Sequence, residues 1–396
     1  MDVEKFRNSP VGNLVAINGT DGRTSEPYSH FAFAADPLSG HPSLTTEAWN
    51  RVASANRAVG RLQQGSHLIA NPSLLRQPTL RREAQSTSAL EGTYAPIDEV
   101  LAADVITEEN RSLALREVMN YVVAAERGFA WVTSGRPLTV GLLCELHQVL
   151  VRGTSADTDD AGRIRRVQVV IGSRGGSVFE SRFVPMPEGP VLEASTQDLV
   201  TWMQPDKHKG IDPIVAAAMG HYQFETLHPF NDGNGRIGRL LIVLQLVLEG
   251  VLDEGLLSVS PWFEQRRDRY QELLSHVSAT GDWSSWIAFF AEGIEASAID
   301  TAKRIQSLLE LQQSLHEQLR EAGLRGAIRD IVDILIGRPY VTIPMLRDLT
   351  GLTYQAANNA VQKLLALEVI EQAPSSGAKV FRAPSVVRIA AAPSSF

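Results

Sequence analysis

The amino-acid sequence predicts a mainly α-helical protein: a helical core with one β-hairpin, followed by a small α+β winged helix at the C-terminal end. Apolar residues recur at helical spacing through most of the chain, as they do across 110–129. Strand patterns are confined to two places, 161–185 and 369–382. A chain of 396 residues also exceeds the usual size of one hydrophobic core, so two or three domains are expected.

Composition and charge exclude several classes of protein. The net charge of −8 argues against a protein whose whole surface binds nucleic acid. A single cysteine, Cys144, excludes a disulfide within the chain and suggests a reducing compartment. The polar residues 1–5 do not resemble a signal peptide, and the longest apolar stretch, Leu240–Leu248, is far shorter than the roughly 20 residues that span a bilayer. We therefore expect a soluble, cytoplasmic protein without a membrane partner.

The patterning divides the chain into four parts. Residues 1–27, rich in Gly, Asn, Ser and Thr, are predicted to be a flexible leader. An N-terminal helical region is expected over 28–110, and a larger helical core over 111–322. The remaining part, 323–396, carries the winged-helix pattern.

The most informative stretch is 228–239, with the sequence HPFNDGNGRIGR. Pro229 disfavours helical backbone at His228, so the preceding helix should end there. Asp-Gly and Asn-Gly pairs predict turns, because glycine tolerates positive φ. Apolar residues then recur at helical spacing from Gly235 onward, so the turn should lead directly into a second helix.

This turn has the features of a phosphate-binding site. A helix N-terminus offers free N–H groups and the positive end of the helix dipole. Arg236 and Arg239, three residues apart, can add forked donors to the same anion. The stretch is neither a P-loop nor a dinucleotide fingerprint, because the required Gly-Lys-Ser/Thr and G-x-G-x-x-G patterns do not follow.

The stretch resembles the signature of the Fic family, His-x-Phe-x-Asp/Glu-Gly-Asn-Gly-Arg-x-x-Arg. Every specified position is filled: His228, Phe230, Asp232, Gly233, Asn234, Gly235, Arg236 and Arg239. A polar interhelical turn with a helix cap is the alternative interpretation, and so complete a match disfavours it. The resemblance implies a protein adenylyltransferase, which moves AMP from ATP to a Tyr, Ser or Thr hydroxyl of a target protein or of itself.

The resemblance also implies roles for the signature residues. His228 would take the proton from the acceptor hydroxyl, and Asp232 would hold Mg²⁺. Asn234 and the amides of the turn 233–235 would bind the α-phosphate of ATP. Arg236 and Arg239 would bind the β- and γ-phosphates and stabilise charge on the leaving pyrophosphate.

A second, shorter motif lies upstream. Residues 87–92, TSALEG, fit the pattern Ser/Thr-x-x-x-Glu-Gly/Asn that many Fic proteins carry on an inhibitory helix. The alternative is a solvated surface carboxylate at a helix end, where the helix dipole disfavours it. By the resemblance, Glu91 would pair with Arg239, with Thr87 as part of the same motif, and ATP would then bind unproductively.

A predicted β-hairpin precedes the signature. Its strands would cover 161–172 and 182–185, with 173–181 as the turn. It could be a decorative hairpin packed on helices. The resemblance instead implies a flap that holds the target segment by strand addition, at Val169, Val170, Ile171 and Gly172.

The C-terminal pattern resembles a winged helix. Helices predicted over 343–349 and 354–367 form a helix–turn–helix, and a small hairpin follows. Asn and Gln on the second helix could read adenine, but Lys363 is the single cation in that stretch, and phosphate contacts supply most nucleic-acid affinity. DNA binding, docking of another protein and homodimerisation all stay open.

The core also allows other interpretations. His221, Glu225 and His228 share one helix face and could mimic a zinc site, although the sequence lacks His-Glu-x-x-His. Two other functions also stay open beside the transferase. One is a hydrolase that removes AMP from proteins, with Glu91 and a metal positioning water. The other is a winged-helix regulator whose Fic core only senses nucleotide.

Overall fold

The computed structural model describes residues 1–21, 24–67, 72–172, 177–253, 255–374 and 378–396. Helices dominate, as the sequence predicts. The helices are α1 Thr46–His67, α2 Pro72–Leu90, α3 Ile97–Leu101, α4 Leu113–Thr133, α5 Val140–Val151, α6 Pro190–Trp202, α7 Pro213–Leu227, α8 Asn234–Leu248, α9 Ser260–Gln265, α10 Arg267–Thr280, α11 Trp283–Glu321, α12 Ala327–Gly337, α13 Ile343–Thr350, α14 Tyr354–Ala366 and α15 Pro384–Ala391. The strands are β1 Gly12–Thr20, β2 Pro27–Ala35, β3 Tyr340–Thr342, β4 Glu371–Ala373 and β5 Val380–Arg382.

Helices α7 and α8 form the centre of the core. Every residue of α7 except Pro213 and Glu225 is buried, and α8 is buried from Asn234 to Leu246. A helix that is buried all round must be covered by other helices, and here α4, α5, α6 and α11 pack around the pair. The loop between α7 and α8 carries the signature stretch, so its position is fixed by the most rigid part of the fold.

Helix α2 is held in place at several points along its length. It continues through Pro78 without a break, although a proline inside a helix usually kinks or ends it. The guanidinium of Arg81 lies 2.6 Å from Asp104 and donates to the Leu101 carbonyl at 2.7 Å. The buried Glu83 carboxylate accepts from the backbone N–H of Ser260 at 2.9 Å. These contacts fix the helix that ends next to Glu91.

The prediction that residues 1–27 form a flexible leader is wrong. Strands β1 and β2 pair antiparallel over their full lengths, so the boundary at 27/28 falls at the start of a strand. Phe6 and Phe33 pack with Phe183, with ring centroids 5.6–5.8 Å apart. The small polar residues suggested disorder, but the aromatic residues of this hairpin find a hydrophobic partner surface far along the chain.

The predicted hairpin over 161–185 is also wrong in detail. Among the described residues of this segment, strand pairing is reduced to one bridge, between Ile171 and Phe183. Residues 173–176 of the predicted turn lie outside the described residues. The β-branched pattern suggested strands, yet the backbone here has other partners: the N–H of Arg165, for example, donates to the Pro229 carbonyl at 2.9 Å.

The C-terminal region contains the predicted helix–turn–helix, α13 and α14, and the predicted hairpin, β4 and β5. It also contains β3, which the sequence did not indicate, in a three-stranded sheet of order β3-β5-β4. Thr342 and Thr353 cap α13 and α14, and Gly351 turns the chain between them at φ 71°. The tip of the hairpin, 375–377, is outside the described residues.

No helix in the described ranges combines the length and apolar character needed to cross a membrane.

Candidate active site

His228 ends helix α7 in an unusual backbone conformation. Its φ of 52° and ψ of 62° lie in the left-handed region, which non-glycine residues rarely adopt. Its Nδ1 lies 3.2 Å from the Glu225 carbonyl. Because a carbonyl can only accept, Nδ1 carries the proton, and Nε2 of the neutral ring keeps a free lone pair. The half-buried side chain lines a cavity, so Nε2 can meet a bound molecule.

The environment of His228 keeps its imidazole neutral. Burial disfavours the charged ring, and the nearby Arg165 guanidinium adds to this, so the pKa of His228 falls to about 4. Glu91 and Asp232 act in the opposite direction, with a smaller effect. At neutral pH the ring is therefore a base that is ready to accept a proton.

Contacts with His147 hold the loop after His228 in place. Phe230 is fully buried and stacks on His147 at 4.1 Å between ring centroids. His147 Nε2 lies 3.0 Å from the Asp232 carbonyl, and its Nδ1 accepts from the N–H of Gly162 at 2.9 Å. His147 thus positions the loop, a role that its place in the sequence of helix α5 does not indicate.

Asn234 corrects one of the predicted roles. Its Oδ1 accepts from the N–H of Phe230 at 2.8 Å, and its Nδ2 donates to the Phe230 carbonyl at 2.7 Å. Because the side chain is also buried, the carboxamide holds the loop rather than facing a phosphate. Only the backbone of Asn234, in the first turn of α8, remains for the predicted α-phosphate contact.

The start of α8 presents an anion-binding surface. Gly233 precedes it at φ 75°, and the N–H groups of the first helical turn have no partner within the helix. A Cβ atom on Gly235 would overlap the Glu91 carboxylate and would lie 2.9 Å from Arg239 Nη1. Glycine at this position lets an acidic group approach the helix N-terminus closely, as a phosphate would have to do.

The carboxylate in that space belongs to Glu91, as the short upstream motif implied. Arg239 Nη2 lies 2.5 Å from Glu91 Oε1 and 3.1 Å from the Thr87 carbonyl, and Arg239 Nε donates to Thr87 Oγ1 at 2.7 Å. Burial by itself would raise the pKa of Glu91, but the adjoining Arg239 charge brings it below its ordinary value. The same pair raises the pKa of Arg239. The guanidinium is buried, and its Nε and Nη2 groups donate to these partners.

Arg236 has two acidic partners of its own, Glu117 and Asp232. Its Nη1 lies 3.1 Å from Glu117, which also accepts from the Thr93 hydroxyl at 2.8 Å. Its Nη2 lies 3.7 Å from Asp232 Oδ1. Glu117 belongs to α4, and nothing in its local sequence distinguishes it from a solvated acid. Sequence reasoning therefore missed it.

Asp232 is the residue that suits a hard cation. Its side chain is 57% exposed, and one carboxylate oxygen accepts from the N–H of Gly233 at 2.5 Å. Among the described residues, no group of three or more metal-ligating side chains occurs. One open carboxylate fits Mg²⁺, which is commonly held by one or two protein carboxylates together with phosphates and water.

The zinc interpretation is not supported by the packing of His221. Its Nδ1 lies 3.0 Å from the Gly238 carbonyl and its Nε2 lies 2.7 Å from Tyr270 Oη. Both ring nitrogens are therefore used inside the core. Burial lowers the pKa of His221 to about 3.

One cavity brings several of these groups together. Its volume is about 130 Å³. Its lining includes Glu91, Ile171, Gly172, His228, Gly235 and Arg239, together with Tyr270, Gln271 and Ser275 of α10. The remaining predicted site residues, Thr87, Val169, Val170, Asp232, Gly233, Asn234 and Arg236, do not line it.

Glu225 is a further acid at this cavity, one helical turn before His228. Its Oε1 is buried without a hydrogen-bond partner among the described residues. Burial raises the pKa of Glu225 to about 7, although Arg239 acts to lower it. From sequence, Glu225 stands out only as a member of the set with His221 and His228 that could mimic a zinc site.

We expect Glu225→Gln to remove a pH dependence of stability. Because the folded protein holds the Glu225 proton up to about pH 7, the wild-type free energy of unfolding should decrease as the pH rises from about 4.5 to 7. Relative to the variant, the free energy of unfolding of the wild type should fall by about 3 kcal/mol over this pH range. Urea unfolding across this pH range measures it. The exposed Glu193→Gln should keep the wild-type slope, and parallel wild-type and Glu225→Gln curves would contradict the assignment.

Two family models match this chain. Residues 49–130 match the Fic/DOC family N-terminal model, and residues 137–246 match the Fic/DOC family model. The second match contains the signature stretch, and the first contains the upstream motif with Glu91.

Curated relatives are named protein adenylyltransferases. Fic-1 of Caenorhabditis elegans is 34% identical over 160 residues, which are 40% of this chain and 28% of that protein. Fic of Drosophila willistoni is 26% identical over 244 residues, which are 59% of this chain and 44% of that protein. The chain thus spans less than half the length of these two relatives.

A solved structure supports the fold. A Fic family protein from Desulfovibrio desulfuricans G20 has a TM-score of 0.55 and 23% sequence identity, and the match covers 87% of this chain and 98% of that chain. Both family regions match in order, so residues 49–130 and 137–246 carry the Fic/DOC N-terminal and Fic/DOC domains, and the solved Fic family structure shows the same fold.

Proposed function

We propose that this chain is an autoinhibited protein adenylyltransferase that moves AMP from ATP to a Tyr, Ser or Thr hydroxyl of a target protein or of itself. One observation carries the proposal. A neutral histidine with a free Nε2 lines the same cavity as Arg239, whose guanidinium is paired with Glu91. The first feature supports base catalysis, and the second supports restraint of that catalysis.

The transfer step follows from the groups around the cavity. His228 Nε2 takes the proton of the acceptor hydroxyl, and the hydroxyl oxygen attacks the α-phosphorus of ATP. The bond between the α-phosphorus and the bridging oxygen to the β-phosphorus breaks, and pyrophosphate leaves. The amides at the start of α8 face the α-phosphate, while Arg236 and Arg239 stabilise the charge that develops on pyrophosphate.

Asp232 would hold Mg²⁺ together with the phosphates of ATP, since its carboxylate is exposed and beside the phosphate-binding turn. When bound, the ion would neutralise phosphate charge and orient the triphosphate. The side chain of Asp232 contributes one oxygen ligand, and its nearest cation is Arg236 at 3.7 Å.

Inhibition arises because Glu91 and the terminal phosphate of ATP compete for one guanidinium. With Arg239 bound to Glu91 and Thr87, its Nε and Nη2 donors are not free to bind the γ-phosphate. Glu91 also occupies the space above Gly235, at the N-terminus of α8. ATP can then enter the cavity only in an orientation that does not support transfer.

The segment 169–172 would hold the target. Ile171 and Gly172 line the cavity next to His228, and Ile171 is already paired on one side with Phe183. The backbone of Val170 makes no hydrogen bond among the described residues, so a target segment in extended conformation could pair with it. This brings an acceptor hydroxyl towards the histidine.

The position of the radioactive label on ATP tests the proposal. With α-labelled ATP and Mg²⁺, the Glu91→Gly protein should label itself or a protein in a lysate, whereas γ-labelled ATP should give no labelling. Labelling from γ-labelled ATP would mean phosphate transfer instead. Release of AMP from an adenylylated protein, without labelling by any variant, would identify the chain as a hydrolase.

We expect Asp232→Asn to weaken the dependence on Mg²⁺. In the Glu91→Gly background, self-labelling should fall by about 100-fold, and the Mg²⁺ concentration for half-maximal rate should rise by about tenfold or more. The exposed Asp159→Asn is the matched control, because it removes a nearby acid without touching the turn. An unchanged Mg²⁺ titration in Asp232→Asn would rule out this ligand.

A further inference from the structure

Arg165 is a buried arginine bonded almost entirely to backbone carbonyls. It is 1% exposed and makes no ion pair among the described residues. Its Nε donates to the His228 carbonyl at 2.8 Å, and its Nη1 donates to the Val167 carbonyl at 3.0 Å. Its Nη2 donates to the Met186 carbonyl and, at 3.4 Å, to that of Leu227.

Burying a guanidinium without a carboxylate is unfavourable unless its donors are all used. Here two of the accepting carbonyls, those of Leu227 and His228, belong to the C-terminal end of α7. The helix dipole makes that end negative, which suits a cation. The backbone N–H of Arg165 also donates to the Pro229 carbonyl at 2.9 Å. Arg165 therefore binds three consecutive residues at the point where the chain turns.

The left-handed backbone of His228 explains the need for such a contact. This conformation is unfavourable for a histidine by roughly 1–2 kcal/mol and persists only where surrounding contacts impose it. The Arg165–His228 hydrogen bond fixes the carbonyl of that residue. The direction of the imidazole then follows from the backbone.

We propose that Arg165 is a positioning residue for AMP transfer: it fixes the backbone of His228 so that Nε2 faces the cavity, and it ties the segment at Val167 to the same point. The inference rests on the proposed function for the role of His228, and on the hydrogen bonds for the contact itself. Arg165 lies outside both the signature stretch 228–239 and the inhibitory motif 87–92. Its role depends on contacts between segments that lie more than 60 residues apart.

Arg165 also contributes charge at His228. Burial and Arg165 lower the pKa of the imidazole, while Glu91, at the end of α2, and Asp232, in the loop, raise it. Glu225 on α7 contributes a hydrogen bond through its backbone carbonyl. Removing the Arg165 charge should therefore raise the pKa of His228, and a variant that keeps the charge but disturbs the packing separates this effect from exposure of the ring.

Two variants in the Glu91→Gly background separate position from charge. Arg165→Lys keeps a positive charge but loses the planar set of guanidinium N–H donors. Arg165→Met loses both the charge and the donors. Each should reduce the self-labelling rate at saturating ATP by about 10- to 100-fold, because small displacements of a catalytic group cost that much. The dissociation constant for ATP should change less than about threefold, since Arg165 does not line the cavity.

Titration of His228 by NMR gives a second measurement that needs no activity. We expect Arg165→Met to raise its pKa, and Arg165→Lys to leave it closer to that of the parent. His228→Asn identifies the resonance. Arg166→Met is the matched control: Arg166 is exposed and adjacent, so its loss should shift the pKa much less. Circular dichroism and urea unfolding of every variant show whether it folds.

The outcomes distinguish the two proposals. If the Glu91→Gly parent labels neither itself nor a protein in a lysate, the proposed function fails, and the NMR titration still decides whether Arg165 acts on His228. A folded Arg165→Met protein with an unchanged His228 pKa would overturn the inference. So would a folded Arg165→Lys protein with the parent's self-labelling rate. If Arg165→Met does not fold, Arg165→Lys provides the decisive comparison.

Discussion

Replacement of Glu91 by glycine should increase AMP incorporation by about 10- to 100-fold. Hydrogen bonds to charged groups are worth about 1.5–3 kcal/mol, and every 1.4 kcal/mol corresponds to a factor of ten. The substitution frees the Arg239 guanidinium, which now lies 2.5 Å from Glu91, and opens the space above Gly235. Both changes favour the γ-phosphate at the position where pyrophosphate can leave. The rate of self-labelling from α-labelled ATP measures the effect.

Glu91→Gln provides the conservative comparison. Its carboxamide can still accept a hydrogen bond from Arg239 but carries no charge, so its labelling rate should lie between those of the wild type and Glu91→Gly. Glu109→Gly, at an exposed position outside the site, should behave as the wild type. Equal rates for the wild type and Glu91→Gly, with equal affinity for ATP, would show that the Glu91–Arg239 pair does not restrain transfer.

Replacement of His228 by asparagine should remove labelling almost completely. Loss of a general base typically reduces the rate by about 10²–10⁴-fold, so the Glu91→Gly gain should disappear in the double variant. Asparagine is preferred to alanine because it tolerates the left-handed backbone found at this position. ATP binding should persist, since the phosphate-binding groups are unchanged. Isothermal titration with ATP and Mg²⁺ checks this alongside the labelling rate.

The matched control for this variant is His316→Asn. His316 lies on α11, far along the chain from the cavity, and pairs with Asp333 at 2.8 Å. Its substitution should leave the labelling rate of the Glu91→Gly protein unchanged. Residual activity in His228→Asn within threefold of the parent would mean that another group accepts the hydroxyl proton.

Local chemistry made the signature loop predictable. Pro229 ends the helix at His228, and Gly233 and Gly235 allow a tight turn into α8, because these effects depend on neighbouring residues only. The structure has both helix boundaries where the sequence predicts them. The contact between Glu91 and Arg239 was expected only through the family resemblance, since nothing local joins residues 148 positions apart.

Long-range packing explains the wrong predictions. The polar composition of β1 predicts a flexible leader, but its hairpin is stabilised by contact with Phe183 and Val184. The segment 161–172 has strand-like residues, yet its backbone is bonded to the loop at Pro229. In each case a distant partner outweighed the local preference.

The sequence by itself determined the family, the helical character and the identity of the loop that carries His228. Local backbone preferences and a contiguous motif contain that information. Tertiary structure alone decided that Asn234 braces the loop, that Glu117 pairs with Arg236, and that Arg165 binds the carbonyl of His228. A side chain's partner depends on which helices pack together, and burial then sets its charge state. Neither property can be read from the residues beside it in the chain.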